Sequence, residues 1–161
     1  MSEAKPTADI CDEFGTVAAV CATQFRHYGS LRWFSGEVAT VSCFEDNGLV
    51  RATLTEPGHG RILVVDGGGS LEAALVGDNI ADLAVGSGWS GVIINGAVRD
   101  VGRLREIDLG ILALGSNPRR SGKTGAGAVG EPIAFGGVTF TPGCLVYADE
   151  DGVVVLPGGK S

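Results

Sequence analysis

The run Gly91-Val92-Ile93-Ile94-Asn95 limits what this chain can fold into more than any other stretch. Its apolar, β-branched residues are consecutive, with none of the polar alternation of a strand that keeps one face wet, so it reads as a buried strand. A second such run, Ile62-Leu63-Val64-Val65, ends in Asp66-Gly67-Gly68-Gly69-Ser70. Between them Ile80, Leu83 and Ala84 share one face of a helix over residues 80–85. Asp78 lies in its first turn, and Gly86, Ser87 and Gly88 stop it before Trp89. Strand, helix and strand in this order make a βα unit and predict an α/β layer architecture.

The flanks extend this pattern and then break it. Near the N-terminus Thr7 is placed to cap a short helix that carries Ile10 and Phe14 on one face and stops at Gly15. Residues 36–44 alternate as a strand, Asp46-Asn47-Gly48 turns into a helix over residues 49–54, and Pro57-Gly58 closes it. After the central unit come a polar helix over residues 100–106 and the strand Ile111-Leu112-Ala113-Leu114. From Ile133 the runs shorten to Ile133-Ala134-Phe135, Val138-Thr139-Phe140, Leu145-Val146-Tyr147 and Val153-Val154-Val155-Leu156. Gly136-Gly137, Pro142-Gly143 and Asp149-Glu150-Asp151-Gly152 divide them at turn-like spacing. The expectation is one α/β domain over residues 1–161 with a mixed sheet, βα units first and antiparallel strands last.

Two stretches stand outside that scheme. Phe25, His27, Tyr28, Arg32, Trp33 and Phe34 form an aromatic and cationic cluster, read as core packing and subunit contact. Residues 116–130, rich in Gly, Arg and Ser, read as a long surface loop of the kind that serves function or subunit contact.

Composition narrows the function classes. A net charge of −7 with a pI near 4.7 argues against direct binding to nucleic acid or an anionic membrane. The 4 cysteines include no C-x-x-C pair and the 2 histidines stand alone, so neither a zinc site nor a disulfide framework is expected. Free thiols and the absence of a signal-peptide core or membrane-length apolar run suit a cytoplasmic protein. Gly67-Gly68-Gly69 fails as a dinucleotide fingerprint because Glu72 takes the third glycine position. Gly122-Lys123-Thr124 fails as a P-loop because Asn117 stands where the first glycine belongs.

The chemistry that remains concentrates at two places one βα unit apart. Gly77-Asp78-Asn79-Ile80 opens the central helix, whose free N–H groups and positive dipole end suit a carboxylate. Arg99 and Asp100 sit just past the carboxyl end of the next strand, where open α/β sheets place ligand crevices. Asp100 is an oxygen ligand of the type Mg²⁺ or Mn²⁺ prefers. The competing reading makes Arg99 and Asp100 a surface pair, with Asp100 capping the helix it precedes.

The same residues carry a resemblance. Val64-Val65-Asp66-Gly67-Gly68-Gly69-Ser70, Ala74-Leu75-Val76-Gly77-Asp78 and Gly96-Ala97-Val98-Arg99-Asp100 resemble the RraA-like family, and Pro142-Gly143, Ala148-Asp149 and Asp151-Gly152-Val153-Val154-Val155 continue the likeness over nearly the whole chain. That family includes regulators of ribonuclease E and divalent-metal aldolases acting on 4-hydroxy-4-methyl-2-oxoglutarate. Some members have carried the name of menaquinone methyltransferases, but no S-adenosylmethionine glycine motif is present here. The resemblance implies a swivelling β/β/α fold and a homotrimer with active sites between neighbouring subunits. It also implies a substrate-cradling helix start at Gly77, Asp78, Asn79 and Ile80, a substrate-binding and catalytic Arg99, and a catalytic, metal-holding Asp100. Where many members have a further acid, this chain has Arg103, with Glu106 the nearest acid downstream.

Two functions follow as expectations. As an enzyme, the protein would bind a small 2-oxo acid, cleave 4-hydroxy-4-methyl-2-oxoglutarate to pyruvate with Mg²⁺ or Mn²⁺, and decarboxylate oxaloacetate on the side. As a regulator, it would bind an Arg-rich segment of ribonuclease E through its acidic surface and inhibit it without chemistry.

Overall fold

The computed structural model describes residues 5–158. The first half of the chain forms α1 (Thr7–Phe14), β1 (Ala19–Cys21), β2 (Arg26–His27), β3 (Phe34–Ser42), α2 (Gly48–Thr55), β4 (Ile62–Asp66) and β5 (Ala74–Val76). The second half adds α3 (Asp78–Gly86), β6 (Gly91–Val98), α4 (Val101–Leu104), β7 (Gly110–Ser116), β8 (Ala128–Val129), β9 (Ile133–Phe135), β10 (Val138–Phe140), β11 (Leu145–Ala148) and β12 (Val153–Leu156).

The doubly apolar runs are strands buried on both faces, as their composition requires. β3, β4, β6 and β7 pair in parallel in that order, and β2 closes one edge antiparallel to β7. Alternate residues of each strand go to opposite layers. Leu63, Val65, Val92 and Ile94 pack with Val50 and Leu54 of α2, Ile80 and Ala84 of α3 and Leu104 of α4. Ile62, Val64 and Ile93 pack on the other side with Ile133, Val138, Phe140, Val146, Val153 and Val155. Helices, parallel sheet and antiparallel strands therefore form three layers. Each fully buried Leu or Ile in them contributes about 1.5–3 kcal/mol.

β3 joins the two strand systems. Phe34 to Glu37 pair antiparallel with β11, and Val38 to Ser42 pair parallel with β4. Beyond β11 the sheet continues antiparallel through β12 to β1, while β9 and β10 form a separate hairpin. The mixed sheet with its antiparallel strands at the end of the chain is the expected class.

Several boundaries differ for local reasons. β6 runs on to Val98 instead of ending at Asn95, because it changes partner where β4 gives out. Asp66 pairs with Asn95, and β5 takes over at Ala97 and Val98, with a register shift between those two pairs. α4 is one turn, not a helix over residues 100–106, since Asp100 takes a left-handed conformation at φ 60°. Thr7 does not cap α1: it is the first helical residue, and its N–H and hydroxyl donate to Asp149 at 2.8 and 2.7 Å.

The two unplaced stretches also resolve. Tyr28 and Phe34 are buried in the core, and Phe25 packs edge-on against Phe135, so the cluster is largely internal packing. Residues 116–130 are pinned to the body of the chain. Asn117 N–H donates to Val98 O, Ala74 N–H to Arg119 O, and the Ser121 hydroxyl to Ala74 O. Among the described residues no helix is long and apolar enough to cross a membrane.

Candidate functional site

The pairing of β5 with β6 builds the site. Val76 is registered against Val98, so the residues that follow, Gly77 and Arg99, leave the sheet side by side. The Arg99 N–H donates to Val76 O at 3.0 Å and fixes that exit. One branch turns directly into α3, the other into the left-handed Asp100, a conformation that Asp tolerates better than most residues.

At this point the Asp100 carboxylate swings across to the neighbouring helix. Asp78 N–H donates to Asp100 Oδ2 at 3.0 Å, and no side-chain bond from Asp100 caps α4. The simple cap reading is thus replaced by a cap in trans: Asp100 precedes one helix and holds the start of another. Gly77 is required for space, since its backbone is extended. A Cβ there would lie 2.6 Å from Asp100 Oδ2 and 3.3 Å from Arg99 Cγ.

The first intrahelical bond of α3 runs from Ala81 N–H to Gly77 O. Asp78, Asn79 and Ile80 therefore have no intrahelical partner for their N–H groups. With Asp78 bonded to Asp100, those of Asn79 and Ile80 remain for an anion. The guanidinium of Arg99 stands beside them, with Nη1 donating to Pro118 O at 3.4 Å. Gly77, Asp78, Asn79, Ile80, Arg99 and Asp100 thus line one pocket of about 80 Å³.

Sequence reasoning missed half of that pocket's wall. Asn47 and Arg51 come from the start of α2, and Arg120 and Lys123 from residues 116–130. Asp46 ties these two segments together. Its carboxylate accepts the Thr124 N–H and hydroxyl, each at 2.7 Å, the Gly125 N–H at 3.0 Å and the Gly48 N–H at 3.1 Å. The carboxyl is held down to about 2, first by the hydroxyl and N–H of Thr124, against burial, and then by Gly48 and Gly125. A polar Asp-Asn-Gly turn beside a Gly-Lys-Thr turn was the only sequence signal, and it had no visible link between its halves.

Arg103 lies outside the pocket: its Nη2 is 3.2 Å from Asp82 Oδ2, which ties α4 to α3. Glu106 does not line the pocket either. Among the described residues no group of three or more His, Cys, Asp or Glu side chains forms a ready metal cage. A single carboxylate at Asp100, with Oδ1 unbonded among the described residues, fits Mg²⁺ or Mn²⁺, which retain water and share a substrate's oxygens. The glycine turn at residues 67–69 is a close-approach turn: Asn95 O accepts the N–H groups of Gly67 and Gly69, and Asp66 accepts that of Gly68.

Comparison with known proteins bears on this geometry. A family model described as RraA-like, Aldolase/RraA, matches residues 7–155. A solved structure named S-adenosylmethionine:2-dimethylmenaquinone methyltransferase, from Geobacillus kaustophilus, is 46% identical. It superposes with a TM-score of 0.95, covering 97% of both chains. The RNA-processing inhibitor RraA from Thermus thermophilus is 43% identical with a TM-score of 0.93, covering 100% of this chain and 96% of that one. An unusual member of the RNase ES inhibitor RraA family from Streptomyces coelicolor, RraAS2, is 28% identical with a TM-score of 0.79, covering 95% and 80%.

Proposed function

Because the chain belongs to the RraA-like family, we propose that it is a divalent-metal-dependent lyase that cleaves 4-hydroxy-4-methyl-2-oxoglutarate to pyruvate and decarboxylates oxaloacetate as a side reaction. The observation that carries this reading is the Asp100 carboxylate bonded across the start of α3, beside Arg99 and the free N–H groups of Asn79 and Ile80. Each of these is a group that a 2-oxo acid needs.

The roles follow from the groups. The N–H groups of Asn79 and Ile80 and the positive end of α3 bind the substrate carboxylate. Arg99 orients it and offers its planar fork to negative charge that grows on the 2-oxo oxygen as the carbon–carbon bond breaks. Asp100 would hold Mg²⁺ or Mn²⁺, which when bound supplies Lewis-acid stabilisation of that same charge. Gly77 leaves room for the carboxylate of Asp100 to reach its place. A three-fold assembly, as the family resemblance implies, would add a wall from a neighbouring subunit to this pocket, so the working form in this account is a cytoplasmic homotrimer.

A second reading is favoured by one specific finding, the 43% identity to a protein named as an RNA-processing inhibitor. In it the acidic surface binds a basic segment of ribonuclease E and the pocket plays no part. Pyruvate release from 4-hydroxy-4-methyl-2-oxoglutarate and from oxaloacetate, with and without Mg²⁺ or Mn²⁺, tests the first reading. Metal-dependent release from either substrate supports the lyase. No release, together with inhibition of ribonuclease E by the purified protein, supports the regulator.

A further inference from the structure

Resting on the lyase reading of the pocket, we infer that Asn117, which lies outside it, is a positioning residue: it aims the Arg99 guanidinium through the carbonyl of Pro118. The placement starts in the sheet. Val76 is registered against Val98 and Val98 against Ser116, so Gly77, Arg99 and Asn117 leave β5, β6 and β7 in one row. The Asn117 N–H donates at 2.9 Å to the carbonyl of Val98, the residue before Arg99.

The side chain of Asn117 then shapes the next two residues. Its Oδ1 accepts the Arg119 N–H at 2.8 Å, which closes an Asx turn around Pro118. Its Nδ2 donates to Leu71 O at 2.7 Å, which ties that turn to the segment before β5. These two partners fix the orientation of the amide, since Leu71 O can only accept and the Arg119 N–H can only donate. The far side of the turn is held as well, because Arg119 O accepts the Ala74 N–H at 2.8 Å. The ring of Pro118 restricts its φ, so with both neighbours anchored its carbonyl is left one direction.

Arg99 uses that carbonyl. Its Nη1 donates to Pro118 O at 3.4 Å, which among the described residues is the only hydrogen bond of its side chain. A guanidinium on a long, flexible stem presents its fork to two oxygens only when its plane is fixed. Neither Asn117 nor Pro118 lines the pocket. Asn117 therefore reaches a bound acid through the residues it holds: Arg99 by way of Pro118 O, or Arg120 by way of the backbone.

A double-substitution cycle with Asn117→Ala and Arg99→Lys, read as pyruvate release at saturating Mg²⁺ with either substrate, tests the inference and separates those routes. Asn117→Ala alone should lower kcat/KM by about 10- to 100-fold, the range for groups that hold a site residue in place. In the Arg99→Lys background the same change should cost less than about twofold, because an ammonium has no plane to aim. A loss of folded protein, or an effect passed on through Arg120, lowers the rate by the same factor in both backgrounds. Equal factors, or an Asn117→Ala rate within about threefold of the parent, overturn the role of Asn117 and leave the lyase reading in place. If circular dichroism shows that Asn117→Ala does not fold, Asn117→Ser keeps a turn-forming oxygen and carries the same cycle. No pyruvate from the parent with either substrate overturns both.

Discussion

The Asp100 carboxylate accepts the backbone N–H of Asp78 at 3.0 Å, across 22 residues of sequence. That one bond ties the end of a buried strand to the start of a helix. It also leaves Oδ1 of the same carboxylate without a hydrogen bond among the described residues, in the pocket that Arg99 lines.

Gly77→Ala tests the space this contact needs. The added methyl would meet Asp100 Oδ2 at 2.6 Å, so the carboxylate must leave the helix start. Since residue 77 is extended and Ala tolerates that backbone, the fold should persist. Turnover should fall by about 10²-fold, the usual consequence of a displacement near 1 Å at a reacting centre. Steady-state pyruvate release alongside circular dichroism checks both halves, and near-normal turnover would mean the contact is incidental.

Arg99→Lys should lose about 10²–10³ in rate, since an ammonium cannot replace a planar fork that reaches two oxygens. The Arg99 backbone bond to Val76 O is unaffected by the change, so stability should hold. Kinetics within about threefold of the parent would make Arg99 a structural residue.

Asp46→Asn addresses the clasp that carries Arg51 and Lys123 to the pocket. Its carboxyl is depressed from 3.8 to about 2 in the folded protein. Asp46 therefore contributes its full stabilisation above about pH 4, and that contribution is lost as pH falls towards about 2. Thermal melts between those limits should show a weaker acid dependence in Asp46→Asn than in the parent. Parallel pH profiles for the two proteins would contradict the assignment of the clasp.

Much of this was legible from local chemistry. Ile62 to Val65 and Val92 to Ile94 declared doubly buried strands, and Gly77 and Asp78 declared a helix start. Short-range pattern was blind wherever the cause lay far away. β5 is three residues long and exists because β6 outruns β4, which no periodicity in Ala74-Leu75-Val76 announces. Arg120 and Lys123 looked like a loop's solvated charges because their anchors, Ala74 and Asp46, are remote in sequence. The family resemblance supplied the roles proposed for Arg99 and Asp100. The local residues supplied their position.

Assembly is the next expectation. Phe44, Leu71 and Val129 are 64%, 46% and 51% exposed; Phe44 and Leu71 follow the carboxyl ends of β3 and β4, and Val129 pairs with Val41 near the end of β3. Apolar side chains left there suit a subunit contact. Light scattering should give a trimer, and Phe44→Glu should lower both the mass and the activity on dilution. A fully active monomer would remove the shared-wall account.

The central claim is that Asp100 holds the cation through which this pocket acts. Asp100→Asn keeps the size of the side chain and tolerates the left-handed backbone, while removing the charge. The direct measurement is pyruvate formation from 4-hydroxy-4-methyl-2-oxoglutarate across a Mg²⁺ titration, for the parent and for this variant. The expected result is saturable metal dependence in the parent and a loss of at least about a hundredfold in the variant at every Mg²⁺ concentration. Equal turnover of the two proteins at saturating Mg²⁺ would contradict it.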